Sequence, residues 1–215
     1  MPSGRRLTDL EPAGFVRRAA AFALDLVIVT AAVILLLQLV LDPLRDALGP
    51  GWMRVGWFYV GYTLLTVSLP VWLYFTGYES SDAQATPAKR WLGIGLTSTR
   101  AGRISFGRAF LRTIARVLPF EVAHVVTVVP ANPFVDPLSG TLTLPALDSL
   151  GPSVLAGLLV SVLLLGALLF SVMLHPDGRG LHDLLAGTFV VRADLPAAAV
   201  PAAGLDPALR ERGPA

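Results

Sequence analysis

The chain has 215 residues, 54% hydrophobic and 15% charged, with 17 basic and 15 acidic side chains and no cysteine. Soluble domains carry about 25% charged residues, so this composition excludes an ordinary soluble fold, and the lack of cysteine excludes disulfides and thiolate metal sites. The mean hydropathy is +0.66 and the isoelectric point about 9.4; in so apolar a chain, basic residues report topology and contact with anionic lipid before they report nucleic acid.

Residues 1–12 read as a cytoplasmic N-terminal segment. The first apolar run, 19–41, is broken among strongly polar residues only by Asp25 and Gln38. At 1.5 Å per residue it is long enough to cross a hydrocarbon core of roughly 30 Å. It is too long for a cleavable signal peptide, and no small-x-small site ends it before Asp42-Pro43. Two further runs, 55–75 and 154–174, contain no charge and reach the same length.

Basic residues set the predicted orientation. Arg5, Arg6, Arg17 and Arg18 precede the first run, while only Arg45 and Arg54 lie in the loop 42–54, which puts the N-terminus in the cytoplasm. Lys89, Arg90, Arg100, Arg103, Arg108 and Arg112 make the segment 76–112 cytoplasmic too. Residues 131–153 hold no Lys or Arg, and the tail is basic again at Arg179, Arg192, Arg210 and Arg212. A fourth crossing over 110–129 reconciles these counts, although Arg116, Glu121 and His124 weaken it by hydropathy and Pro119 invites a kink. A re-entrant or interfacial helix there is the alternative. The expected fold is an all-α polytopic membrane protein with about four transmembrane helices (19–41, 55–75, 110–129 and 154–174). Both termini lie in the cytoplasm, and the expected location is the cell membrane.

Leu92–Ser98 and Thr188–Arg192 read as short strands, and Arg100–Arg103 as a turn, giving a small cytoplasmic β-hairpin or strand patch. Residues 193–215 are Ala/Pro-rich and expected to be disordered. Of the 17 basic residues only Lys89 is not arginine, a bias in keeping with a GC-rich bacterial genome.

Asp25 sits roughly 9 Å into the first apolar run, where an unpaired carboxylate costs a few kcal/mol. It therefore calls for protonation or a cation. Arg18 is seven residues away on the same face, too far for an ideal pair, and Arg17 lies beside it. Arg112 and Arg116, four apart, are the natural partners. Glu121 and His124, three apart on one face, could extend an ion path from Asp25. His175, Asp177, His182 and Asp183 lack metal-ligand spacing and read as solvated turn residues, with Asp183 capping a short helix or pairing with an arginine of 108–116. Lys89, Arg90 and Arg108 form a basic patch suited to anionic lipid head groups. No nucleophile elbow, phosphate loop or paired-carboxylate signature occurs, and Ser80, Ser81 and Ser105 have no evident base, so neither enzyme activity nor a cofactor is expected.

Three blocks resemble the RDD family of membrane proteins, named for one arginine and two aspartates: Gly14–Asp25, Gln84–Gly93 with Ile104–Arg112, and Arg179–Val191. The resemblance implies that Arg18, Asp25 and Asp183 are the recurring set. The middle block departs from the usual Gly-Gln-Thr-Leu-Gly-Lys, reading Gln84-Ala85-Thr86-Pro87-Ala88-Lys89, which loses both glycines and gains a proline. Cation/proton exchange has been suggested for some members of a family mostly without known activity. Two readings follow: a scaffold clamped by an Arg/Asp network and binding lipid or a membrane-protein partner, or a homo-oligomeric exchanger titrating at Asp25. Only Thr30 and Gln38 continue a polar path beyond Asp25, which favours the scaffold.

Overall fold

In a computed structural model, residues 11–36, 56–99, 102–128 and 149–192 are described, with isolated positions between them. Residues 1–10, most of 37–55 and of 129–148, and 193–215 lie outside them. The expectations of a disordered tail and of an arginine-free loop facing away from the cytoplasm fall there.

Among the described residues, three helices are long and apolar enough to cross a membrane. The first, α1 (Phe15–Leu36), begins four residues before the apolar run, because Val16, Arg17 and Arg18 continue its helical turn. The second is continuous from α2 (Gly56–Thr63) through a π-helical stretch, Leu64–Ser68, into α3 (Leu69–Ser80). Pro70 cannot donate to the preceding turn, and the wider π-turn beside it is the usual accommodation. This helix runs past Phe75 to Ser80, carrying Glu79 with it.

After α3 comes the five-residue α4 (Pro87–Trp91), with Thr86 as N-cap and Pro87 in the first turn, then strand β1 (Ile94–Ser98). Ile104 is buried just ahead of α5 (Phe106–Val128). This helix covers the expected fourth span as 23 unbroken residues with Pro119 inside, but it is not among the three apolar enough to cross by composition. Arg108, Arg112, Arg116 and Glu121 are the reason. The last long helix, α6 (Pro152–Leu174), starts at Gly151-Pro152 and presents most of its surface outward, Leu159, Val162 and Phe170 among it. Such an apolar exterior suits lipid, not water.

Helix α7 (Leu181–Ala186) follows and stops at Gly187, whose φ of 61° supplies the left-handed C-cap. It leads into β2 (Thr188–Arg192). The two strands pair antiparallel, Ile94 opposite Arg192 and Ser98 opposite Thr188. They are distant in sequence, so the expected hairpin is instead a long-range pair closing the fold. The chain before α1 extends it: Ala13 N–H donates to Val190 O at 3.0 Å and Arg192 N–H to Glu11 O at 3.0 Å. Ala13, Ile94, Leu96 and Val190 pack under Ala21 and Ala109, seating the sheet against the ends of α1 and α5.

Helices α5 and α6 lie antiparallel along their length. Ser161 Oγ donates to Pro119 O. Further along, a Cβ on Gly157 would come within 2.5 Å of Val126.

Candidate functional site

Where the helices meet the sheet, charged side chains are buried together. Glu79 is fully buried and takes three cations. Lys89 Nζ donates at 2.6 Å, Arg112 Nη1 at 2.8 Å to both oxygens, and Arg116 Nη1 at 2.8 Å. Asp183, also fully buried, accepts from Arg112 Nε at 2.9 Å, Arg18 Nη1 at 3.1 Å, Thr188 Oγ1 at 3.2 Å and Gly180 N–H at 3.1 Å. Arg112 therefore bridges the two carboxylates through different nitrogens. Arg18 also donates to Gly178 O and to Val190 O, tying α1 to the turn before α7 and to β2. The Arg116 guanidinium carbon lies 4.1 Å from the Phe75 ring centroid and 5.4 Å from that of Phe22.

Asp25 is buried beside this network but outside it. Its carboxylate accepts from Tyr74 Oη at 2.8 Å, from Thr86 Oγ1, and from Ala88 N–H at 3.2 Å. The expected arginine pair is thus corrected: Arg112 and Arg116 are taken by Glu79 and Asp183, and Asp25 anchors the first turn of α4 with neutral donors. Three hydrogen bonds suffice to keep a buried carboxylate solvated by protein. The altered middle block explains itself here. Gln84, where the family usually has glycine, adopts φ 45° and is the one non-glycine residue with positive φ among the described residues. Pro87 sits where a helix tolerates proline, and the Ala88 N–H still reaches Asp25.

Anchoring α4 on Asp25 turns Lys89 inward. Lys89 is 5% exposed and so leaves the expected basic patch, while Arg90 and Arg108 stay exposed. Burial, the largest influence, pulls the Lys89 ammonium down to about 7 against the pull of Glu79, with Arg112 and Arg116 adding repulsion. Burial alone would raise the Asp183 carboxyl, yet Arg112, His182 and Arg18 hold it below the usual carboxylate range. His182 is buried, not solvated, with Nε2 3.7 Å from Asp183. Burial brings its imidazole down to about 3, so it is neutral near pH 7.

Glu121 and His124 stand apart on α5. Glu121 accepts from Ser68 Oγ at 2.8 Å and Trp72 Nε1 at 2.9 Å, with His124 Nδ1 at 3.8 Å. Arg17 is exposed on α1; His175 and Asp177 stay in the turn after α6, joined by a 3.1 Å bond from the Asp177 N–H to His175 Nδ1. No group of three or more His, Asp or Glu able to hold a metal occurs among the described residues.

Sequence reasoning missed Glu79, the carboxylate that gathers most of the cations. Its signal was present: it is the first charge after the uncharged run from residue 55, four residues past Phe75 on the same helical face. A cavity of about 100 Å³ lies alongside, bounded by Arg18, Asp25, Lys89, Arg112, Arg116 and His182 and by apolar side chains of α1 and α6.

The model of the RDD family matches residues 12–187, which hold every charged member of the buried network. No curated protein and no solved structure matches the chain.

Proposed function

The chain belongs to the RDD family, and on that premise we propose that it is a non-catalytic multi-pass scaffold of the cell membrane, with both termini in the cytoplasm. The carrying observation is that Glu79 and Asp183 are held by buried guanidinium, ammonium, hydroxyl and backbone donors that join α1, α3, α4, α5 and α7. Such a network clamps elements in one register and leaves little for a proton relay. Arg90, Arg108 and the sheet then form a cytoplasmic platform for anionic lipid, a second copy or a membrane-protein partner. A complete fourth crossing by α5 is part of this reading. Its support is the antiparallel contact with α6, from the Asp183 end to Gly157 near the start of that helix.

One observation favours a second reading, a homo-oligomeric small-cation/proton exchanger. Asp25 borders the cavity, and each of its hydrogen-bond partners is uncharged. Proteoliposomes carrying wild type or Asp25→Asn under Na⁺, K⁺ and Li⁺ gradients separate the two readings. The scaffold gives no ion-coupled pH change from folded wild type; flux abolished by the substitution would replace it with the exchanger. Because the chain has no cysteine, single cysteines at Ser149 and Arg90 test the fourth crossing by opposite accessibility to an impermeant thiol reagent.

A further inference from the structure

We propose that the cleft between α1 and α6 is a binding site for one monoanionic phospholipid, its phosphodiester on the buried cations and an acyl chain along α6. This rests on the reading of the chain as a membrane scaffold and names the lipid species' charge and its seat, which is interior and not the exposed basic patch.

Charge is the first observation. Arg18, Lys89, Arg112 and Arg116 are four cations around the cleft; Asp25, Glu79 and Asp183 are three carboxylates. The cationic side chains outnumber the carboxylates by one, in a buried place where an unpaired ion is costly. Lys89 is the member whose charge gives way most readily, since burial draws it down to about 7, and an anion in the cleft favours its protonated form. His182 adds no charge when neutral.

Unmet hydrogen-bonding capacity is the second. Arg116 Nε and Nη2, Arg18 Nε and His182 Nδ1 are buried with no hydrogen-bond partner. Phe75 covers the Arg116 guanidinium and stabilises its charge, but a ring face does not replace acceptors for the in-plane N–H groups. Buried donors of this kind are ordinarily satisfied. A phosphodiester brings two anionic oxygens to a fork of guanidinium donors, the geometry Arg recognises best.

The walls are the third. Leu165, Leu168, Leu169 and Val172 recur at helical spacing and line the cleft from one face of α6, opposite Phe15 and Phe22 of α1. Inorganic phosphate gains nothing from such walls. A lipid does, since its acyl chain packs along them and holds the head group at the cations. The cavity of about 100 Å³ is smaller than a whole lipid, so it takes the head-group end while the chain continues along the outward face of α6, where Leu169 is already 43% exposed.

The test uses the full chain, delipidated in a neutral detergent and titrated with dihexanoyl-phosphatidylglycerol, dihexanoyl-phosphatidylcholine or inorganic phosphate. Thermal midpoint and bound-lipid mass by native mass spectrometry are followed. The expected result is saturable one-to-one binding and a raised midpoint with phosphatidylglycerol, at least about tenfold tighter than with the zwitterionic lipid, and no shift with phosphate. Leu168→Trp narrows the cleft without touching any ion pair. It should abolish the shift while leaving the midpoint of the lipid-free protein within a few degrees of wild type. Arg116→Gln should also lose the shift, but with a lowered lipid-free midpoint, because it breaks the buried pair with Glu79. Equal response to both lipids, an equal response to phosphate, or an unchanged phosphatidylglycerol shift in Leu168→Trp would each overturn the proposal. Loss of binding in Arg90→Gln/Arg108→Gln with Leu168→Trp unaffected would move the lipid to the exposed patch. None of these outcomes depends on ion flux, so failure here is separable from failure of the scaffold reading.

Discussion

Glu79→Gln is the sharpest perturbation the network offers. The amide keeps the volume and one acceptor but removes the charge that Lys89, Arg112 and Arg116 share. Removing one partner of a buried ion pair costs about 3–5 kcal/mol, because the remaining charge stays buried and unpaired. Here three cations lose one partner, and only Arg112 has a second carboxylate, Asp183. The loss should therefore fall at or above the upper end of that range. The matched control is Glu121→Gln. Glu121 is half-buried, bonded to Ser68 and Trp72 with His124 as its nearby basic group, and its neutralisation should cost about 1–2 kcal/mol. Denaturant unfolding of both variants in the same detergent measures the difference. Adding Lys89→Met to Glu79→Gln removes one stranded cation, so the double variant should be more stable than the sum of its single effects. A Glu79→Gln loss no greater than that of Glu121→Gln, or strict additivity in the cycle, would refute the clamp.

Acid stability is set in part by His182, whose folded value of about 3 lies below its ordinary 6.5. Between those values the unfolded state binds more protons, so stability falls as pH drops from about 6.5 toward 3; His182→Gln should flatten that slope in unfolding midpoints taken across the window. Asp183, held below the usual carboxylate range, adds a loss in the same direction at the acid end, below its unfolded value of about 4. Gly157→Ala should cost about 1–3 kcal/mol by pushing a Cβ to within 2.5 Å of Val126, whereas Gly166→Ala, with no atom within 4 Å, should be neutral or slightly stabilising; paired unfolding curves decide. Gln84→Gly should stabilise by up to about 1 kcal/mol by relieving the φ of 45°, and an unchanged or lowered midpoint would count against strain at that turn.

Apolar run length made three long helices legible, and β-branched runs beside turn residues the strand segments, because both signals are local. The pairing of polar groups was not. Arg18 and Asp183, both expected in the family's signature, do meet, but across 165 residues of chain, beside a strand pairing that periodicity does not reveal. Asp25 looked as if it required protonation or a cation because its depth was judged along one helix. The turn holding Tyr74, Thr86 and the Ala88 N–H reaches it from the side, and neutral donors meet its demand. Glu79 escaped notice because it seemed to lie past the end of the second span. The π-helical stretch and α3 carry the helix on to Ser80.

Arginine's preponderance over lysine also gains a physical reason at this site. Arg112 reaches Glu79 through Nη1 and Asp183 through Nε, so one side chain holds α3 and α7 to α5 at once. A lysine is a point charge on a flexible stem; it can satisfy one of these carboxylates well, but not both in fixed directions. Lys89 stands where a single carboxylate is to be met, 2.6 Å from Glu79, and there a point charge is enough. The chain's one lysine and its bridging arginine thus divide the work by geometry. With Arg112 in the bridge, α3, α5 and α7 are held as one body, and through Arg18 the start of α1 and the strand β2 join it. A unit built in this way fixes the cation-bearing side of the cleft, because Arg18 and Arg116, which line it, are anchored on Asp183 and Glu79, which do not.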